Sequence, residues 1–193
     1  MKIDCAIRIA EHAHRGQIDK GGQLYILHPL WVMQHVPDGE DYQVVAVLHD
    51  VVEDNSEYTI DSLRRKGLTD IQAEALDLLT HKKGISYVDY IKGIKQNEIA
   101  LKVKLACLTH NLQPRRISDV IMFIKNNKEY TALQAKAKGN LFMEKVRTYW
   151  DSYIYLSGTY PFGLPLIAKL NLRALYERDY EEFVEFCAKE GGR

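Results

Sequence analysis

VVAVLHDVVED, Val44 to Asp54, is the stretch that decides the fold. Five apolar residues in a row open a buried helix, and the run then turns abruptly to His49, Asp50, Glu53 and Asp54. If the helix continues through its last turn, His49 and Glu53 are four apart, as are Asp50 and Asp54, so each pair shares a face. One imidazole and three carboxylates at the end of a buried helix make a poor core and a reasonable metal site. A lone His-Asp pair at a helix end would be read as a solvent-facing pair, so the decision rests on what lies elsewhere.

Outward from this stretch, helical periodicity is nearly continuous and strand signals are weak, which gives an all-α fold. Ile3, Ala6, Ile7, Ala10 and His14 mark the inner face of a first helix. Residues 15–27, with three glycines and the cations Arg15 and Lys20, read as a loop. His28-Pro29 then places His28 just before a helix over 29–36, because proline suits the first turn and holds its predecessor extended. Helix 41–52 leads through a polar loop, 53–58, to a short helix from Thr59 to Lys66. Thr69 with Gln72 forms a capping box for helix 70–80, and Ser86 with Asp89 caps a helix running to Gln96.

Helix 98–112 is the second informative element. Ile99, Val103, Cys107 and Asn111 fall in one i, i+4 row, with Ala106 and His110 beside them. Apolar packing explains the first part of that row and not its ending in Cys, His and Asn. Pro114 stops the helix, residues 115–130 form another, and a long helix runs from Thr131 to Leu156. GTYPFGLP, 158–165, breaks the pattern, so residues 1–156 are expected as one domain and 157–193 as a C-terminal helical extension.

The 193 residues carry 26 Lys+Arg and 26 Asp+Glu, so there is no basic excess to draw the chain to nucleic acid or an anionic membrane. No apolar run spans a bilayer and the first residues lack a signal-peptide core, so the expected location is cytoplasmic. Three scattered cysteines with no CxxC give neither a disulfide framework nor a zinc ribbon. Nothing in the composition decides whether the chain forms a homo-oligomer. Tyr87, Tyr90, Tyr149 and Tyr153, at helical spacings, read as packing residues.

AHRGQIDKGGQLYILHPL (13–30), VVAVLHDVVED (44–54), LLTHKKGISYVDYI (78–91) and VKLACLTHNL (103–112), in that order, resemble the HD-domain metal-dependent phosphohydrolases. The likeness is to the (p)ppGpp hydrolase domain of the RelA/SpoT family and its small stand-alone relatives. It implies a divalent ion, manganese in the usual case, on His28, His49, Asp50 and position 107. It further implies that Glu53 and Asp54 position and deprotonate a water, and that Arg15, Lys20 and Asn111 contact the nucleotide. The expected activity is release of pyrophosphate from the 3′ position of ppGpp, pppGpp or a related alarmone. The nucleotidyl-transfer half of the long members is absent from the chain, so alarmone synthesis is not expected.

The family's KLAD motif reads Lys104-Leu105-Ala106-Cys107 here. Three readings follow: Cys107 ligates as thiolate and shifts the preference to zinc, iron or cobalt; Cys107 is a neutral packing residue and leaves three ligands; or the pocket is kept for alarmone binding or regulation without turnover. A purely structural helical module is a further alternative.

Overall fold

A computed structural model describes residues 1–158. Ten helices follow one another: α1 (Ile3–Ala13), α2 (Leu27–Gln34), α3 (Glu40–Leu48), α4 (Val51–Asp54), α5 (Ile60–Arg65), α6 (Asp70–Leu79), α7 (Tyr87–Ile94), α8 (Glu98–Asn111), α9 (Pro114–Asn126) and α10 (Ala132–Ser157). The fold is all-α, as the periodicity implies. Among the described residues no helix is long and apolar enough to cross a membrane.

The described residues fall into two compact units. The first comprises Met1–Gln17 and Leu24–Cys107. Its centre is α3, which packs against α1, α2 and α6. With neighbours on three sides the second half of the helix has no solvent face, and Val44, Val45, Ala46, Val47 and Leu48 are all fully buried. Such surroundings require the uninterrupted apolar run rather than an amphipathic stripe. Gln72 ties α6 to α3: its side chain closes the capping box with Thr69 and its amide donates to Asp41 Oδ1 at 2.8 Å. Leu48 and Leu76, both fully buried, belong to the same core cluster as Ala6, Ala10 and Leu63. Leu76→Ala is expected to destabilise the protein by about 3 kcal/mol through lost burial plus the cavity left behind. Urea unfolding followed by circular dichroism measures this, and a loss below about 1 kcal/mol would mean that the site collapses or was never packed.

The second unit comprises Ile18–Gln23 and the residues from Leu108 on. Leu112, Ile117, Ile121 and Val146 form its core, flanked by Phe142, Met143, Tyr149, Trp150 and Tyr153 from α10. Its short loop is held by Asp19, which is paired with Arg116 at 2.9 Å and accepts the Gly21 and Gln23 amides. Gly22 has φ +80° and a Cβ there would meet the Phe123 ring at 2.8 Å, so glycine is required twice over.

The caps at Thr69 and Ser86 are where the sequence puts them, and Thr131, where the long helix is expected to start, caps α10. Two boundaries differ. α2 starts at Leu27, so His28 lies inside its first turn rather than in front of it. First-turn amides have no intrahelical partner, so Pro29 costs no hydrogen bond there and the helix begins ahead of it. The expected helix 41–52 instead stops at Leu48, and α4 restarts it at Val51. The intervening His49 and Asp50 keep right-handed helical dihedrals. Of the expected C-terminal extension, 157–193, all but Ser157 and Gly158 lies outside the described residues.

Candidate metal centre

Three elements of the first unit deliver the site: the first turn of α2 brings His28, the step between α3 and α4 brings His49 and Asp50, and α8 brings Cys107. The donor atoms of His28, His49 and Cys107 all lie within 4.8 Å of one another, and all three residues are buried. Cys107 Sγ is 3.6 Å from His28 Nε2, although the two residues are 79 apart in the chain. Asp50 Oδ2 lies 3.3 Å from His49 Nε2 and 3.8 Å from His28 Nε2. Around a tetrahedral ion with ordinary zinc–ligand bond lengths, donor pairs are separated by about 3.4 Å for N/O and about 3.6 Å for N/S. The set therefore fits a first-row divalent ion.

His49 gives the sharper test. Its Nδ1 lies 2.7 Å from the Ala46 carbonyl, which can only accept, so Nδ1 carries a proton. Nε2, the other nitrogen, is buried with no hydrogen-bond partner. An imidazole held by a backbone carbonyl on one nitrogen, with the other turned toward a carboxylate and a thiol, is the arrangement of a metal ligand once that second nitrogen gives up its proton. The break between α3 and α4 is what leaves both His49 and Asp50 at this point.

Electrostatics hold the group together without an ion. Burial pushes the Cys107 thiol up, but the neighbouring His28 and His49 imidazoles outweigh it and bring it down to about 5. Burial likewise opposes charge on His49, and the Asp50 carboxylate with Cys107 overcomes it, raising the imidazole to about 9. Asp50 is held at about 2 against its burial by His49, His28 and the Tyr25 hydroxyl.

Sequence reasoning passed over two residues here. Tyr25 donates its hydroxyl to Asp50 Oδ2 at 2.8 Å. Lys104, one turn before Cys107 on α8, donates to the Tyr90 hydroxyl at 3.1 Å. Tyr25 stands three residues before His28, which is the only signal the sequence offers for it. Of the expected proton-handling carboxylates, Glu53 accepts the His81 amide at 3.2 Å. Asp54 has its pKa raised by burial and by Asp50. Among the expected nucleotide contacts, Arg15 is exposed and paired with Glu11 at 3.0 Å. Lys20 and Asn111 belong to the second unit, where burial and then Lys145 lower Lys20 to about 8.

No family model matches the chain. Among curated proteins it is similar to the GTP pyrophosphokinase of Streptomyces coelicolor, 26% identical over 200 residues, covering 97% of this chain and 21% of the relative. The GTP pyrophosphokinase of Streptomyces antibioticus is 26% identical, with 97% of this chain and 22% of the relative covered. A probable GTP pyrophosphokinase of Mycobacterium leprae is 24% identical, with 96% and 23% covered. The chain thus spans about a fifth of the length of the curated relatives it matches.

These names overturn the expectation of a 3′-pyrophosphohydrolase. They describe transfer of pyrophosphate onto GTP, whereas the sequence reading had pyrophosphate released and synthesis excluded. The physical reason for the error is plain. A metal beside carboxylates stabilises charge on a phosphoryl group, and that preference carries no information about which way the group moves.

Proposed function

We propose that the chain is a metal-centred domain that binds the phosphates of a guanosine nucleotide. The observation that carries this reading is the buried His49 Nε2, gathered with the His28 and Cys107 donors and the Asp50 carboxylate. His28, His49, Asp50 and Cys107 would hold the ion. Two imidazoles, a thiolate and a carboxylate suit zinc best, with iron(II) or cobalt(II) next and manganese last. When bound, the ion supplies a Lewis acid that polarises a phosphoryl oxygen.

The chain's own residues do the remaining work. The Ala46 carbonyl orients His49, and the Tyr25 hydroxyl fixes Asp50. The raised carboxyl of Asp54 suits it to hold a proton close to the centre. By motif, Glu53 stands with Asp54 in that role, and Arg15, Lys20 and Asn111 are the proposed nucleotide contacts. Guanosine comes from the relatives' names, which also support a second reading, transfer of pyrophosphate to GTP.

The test measures zinc content, GTP affinity by calorimetry, and products formed from GTP and ATP on the same preparation. The expected result is one zinc per chain, with GTP binding weakened at least tenfold by chelation or by His49→Ala. A chain that retains no zinc, or binds GTP equally well without it, sinks the reading. A new guanosine polyphosphate formed from GTP and ATP would move the assignment to transfer.

A further inference from the structure

Lys104 is a half-buried cation whose only hydrogen-bonded partner among the described residues is neutral. The Tyr90 hydroxyl gives its own proton to the Leu79 carbonyl at 2.7 Å and turns its oxygen to the Lys104 ammonium. The same ammonium sits 5.0 Å from the Tyr90 ring centroid. Tyr90 is buried, and burial pushes its phenol up to about 12, so it stays uncharged. Among the described residues no carboxylate oxygen lies within ion-pair distance of Lys104. An ammonium carries three donors, and the Tyr90 oxygen accepts one of them. Burial opposes its charge, and Tyr90, Cys107 and Tyr87 outweigh that and keep it protonated.

The position of this cation is informative. Lys104 and Cys107 are i, i+3 on α8, so their side chains are neighbours, with Cβ atoms about 5–6 Å apart. Besides the histidines, Lys104 is the cation whose charge bears on Asp50. A phosphate approaching the centre meets the carboxylates of Asp50, Glu53 and Asp54 and the sulfur of Cys107. The centre's own ion cannot offset all of these, so an anionic ligand needs a second positive group at the rim. From this placement we propose that Lys104, held in position by Tyr90, is the anchor for a phosphate or pyrophosphate group bound at the metal centre. This rests on the metal reading above and adds to it the chemistry of the ligand and the residue that receives it.

The experiment measures binding of inorganic pyrophosphate, GDP and guanosine to the zinc-loaded full chain, and zinc affinity separately. The expected result is that pyrophosphate and GDP bind, guanosine does not, and Lys104→Met weakens both anions at least tenfold while zinc affinity changes less than threefold. Lys104→Arg should restore most of the binding. Tyr90→Phe, which keeps the ring and frees the ammonium, should weaken pyrophosphate about three- to tenfold with zinc affinity unchanged, and it reports even if Lys104→Met does not fold. Pyrophosphate binding that is unchanged in Lys104→Met, or in Tyr90→Phe where Lys104→Met does not fold, overturns the anchor while leaving the metal centre intact. Failure of the wild type to hold zinc at all is a failure of the metal reading instead, and is seen in the zinc titration before any anion is added.

Discussion

Replacing Cys107 with Asp is expected to convert a zinc-preferring centre into one that accepts manganese. The thiolate is the only soft donor among the four, and soft donors favour zinc and cobalt over manganese. An aspartate offers a hard oxygen at nearly the same position, next to two imidazoles that compensate its charge. The zinc-to-manganese affinity ratio should fall on the order of 100-fold, comparable with changes seen when metal surroundings are altered. Competition against a chromophoric chelator measures the ratio. Cobalt(II) gives an independent reading, since the sulfur-to-cobalt charge-transfer absorption should be present in the wild type and absent in the variant. An unchanged ratio with no such absorption in the wild type would show that Cys107 is a packing residue. Its burial beside His28 Nε2 at 3.6 Å argues for the ligand instead.

How much of this was legible in the sequence depends on how local the physics is. Helix starts with a side-chain cap, such as Thr69 with Gln72 and Ser86 with Asp89, are written within four residues and read correctly. The start of α2 was not, because the rule that the residue before proline is extended competes with the tolerance of proline in a first turn, and tertiary packing of His28 settles it. The interruption at His49-Asp50 was equally hidden. Both residues keep helical dihedrals, so nothing in composition marks the step that aims both side chains at α2 and α8.

The site shows the same division. His28, His49, Asp50 and Cys107 were named from motif order, and the structure does bring them together across 79 residues of chain. Tyr25 and Lys104 were inside the quoted motifs and given no role, since a tyrosine that bonds a carboxylate and one that packs look alike in sequence. The expected hydrolysis is the part that the relatives' names overturn. Residue types specify which charges a site can stabilise, and they are silent on whether the group arrives or leaves.

Zinc affinity should rise about tenfold for each unit of pH between 7 and 8, because binding expels a proton from the His49–Cys107 pair. The sign follows from the two shifts. His49 is raised to about 9 and therefore still carries its extra proton at pH 7. Cys107 is lowered to about 5 and is already thiolate. Ligation needs the imidazole neutral and the sulfur anionic, so one proton must leave, and it leaves His49. The pair titrates as a unit, and the proton count belongs to both residues together. Above pH 9 the imidazole is free of its proton and the slope should flatten. Below pH 5 the thiolate is also lost, more than one proton must leave, and affinity should fall more steeply with pH. Calorimetry in two buffers of different ionisation enthalpy counts the protons directly, and a zinc affinity level between pH 7 and 8 would rule the pair out as ligands. Cys107→Ser separates the contributions: without the thiolate His49 loses part of what holds its proton, the slope at neutral pH should become shallower, and affinity should drop by at least tenfold.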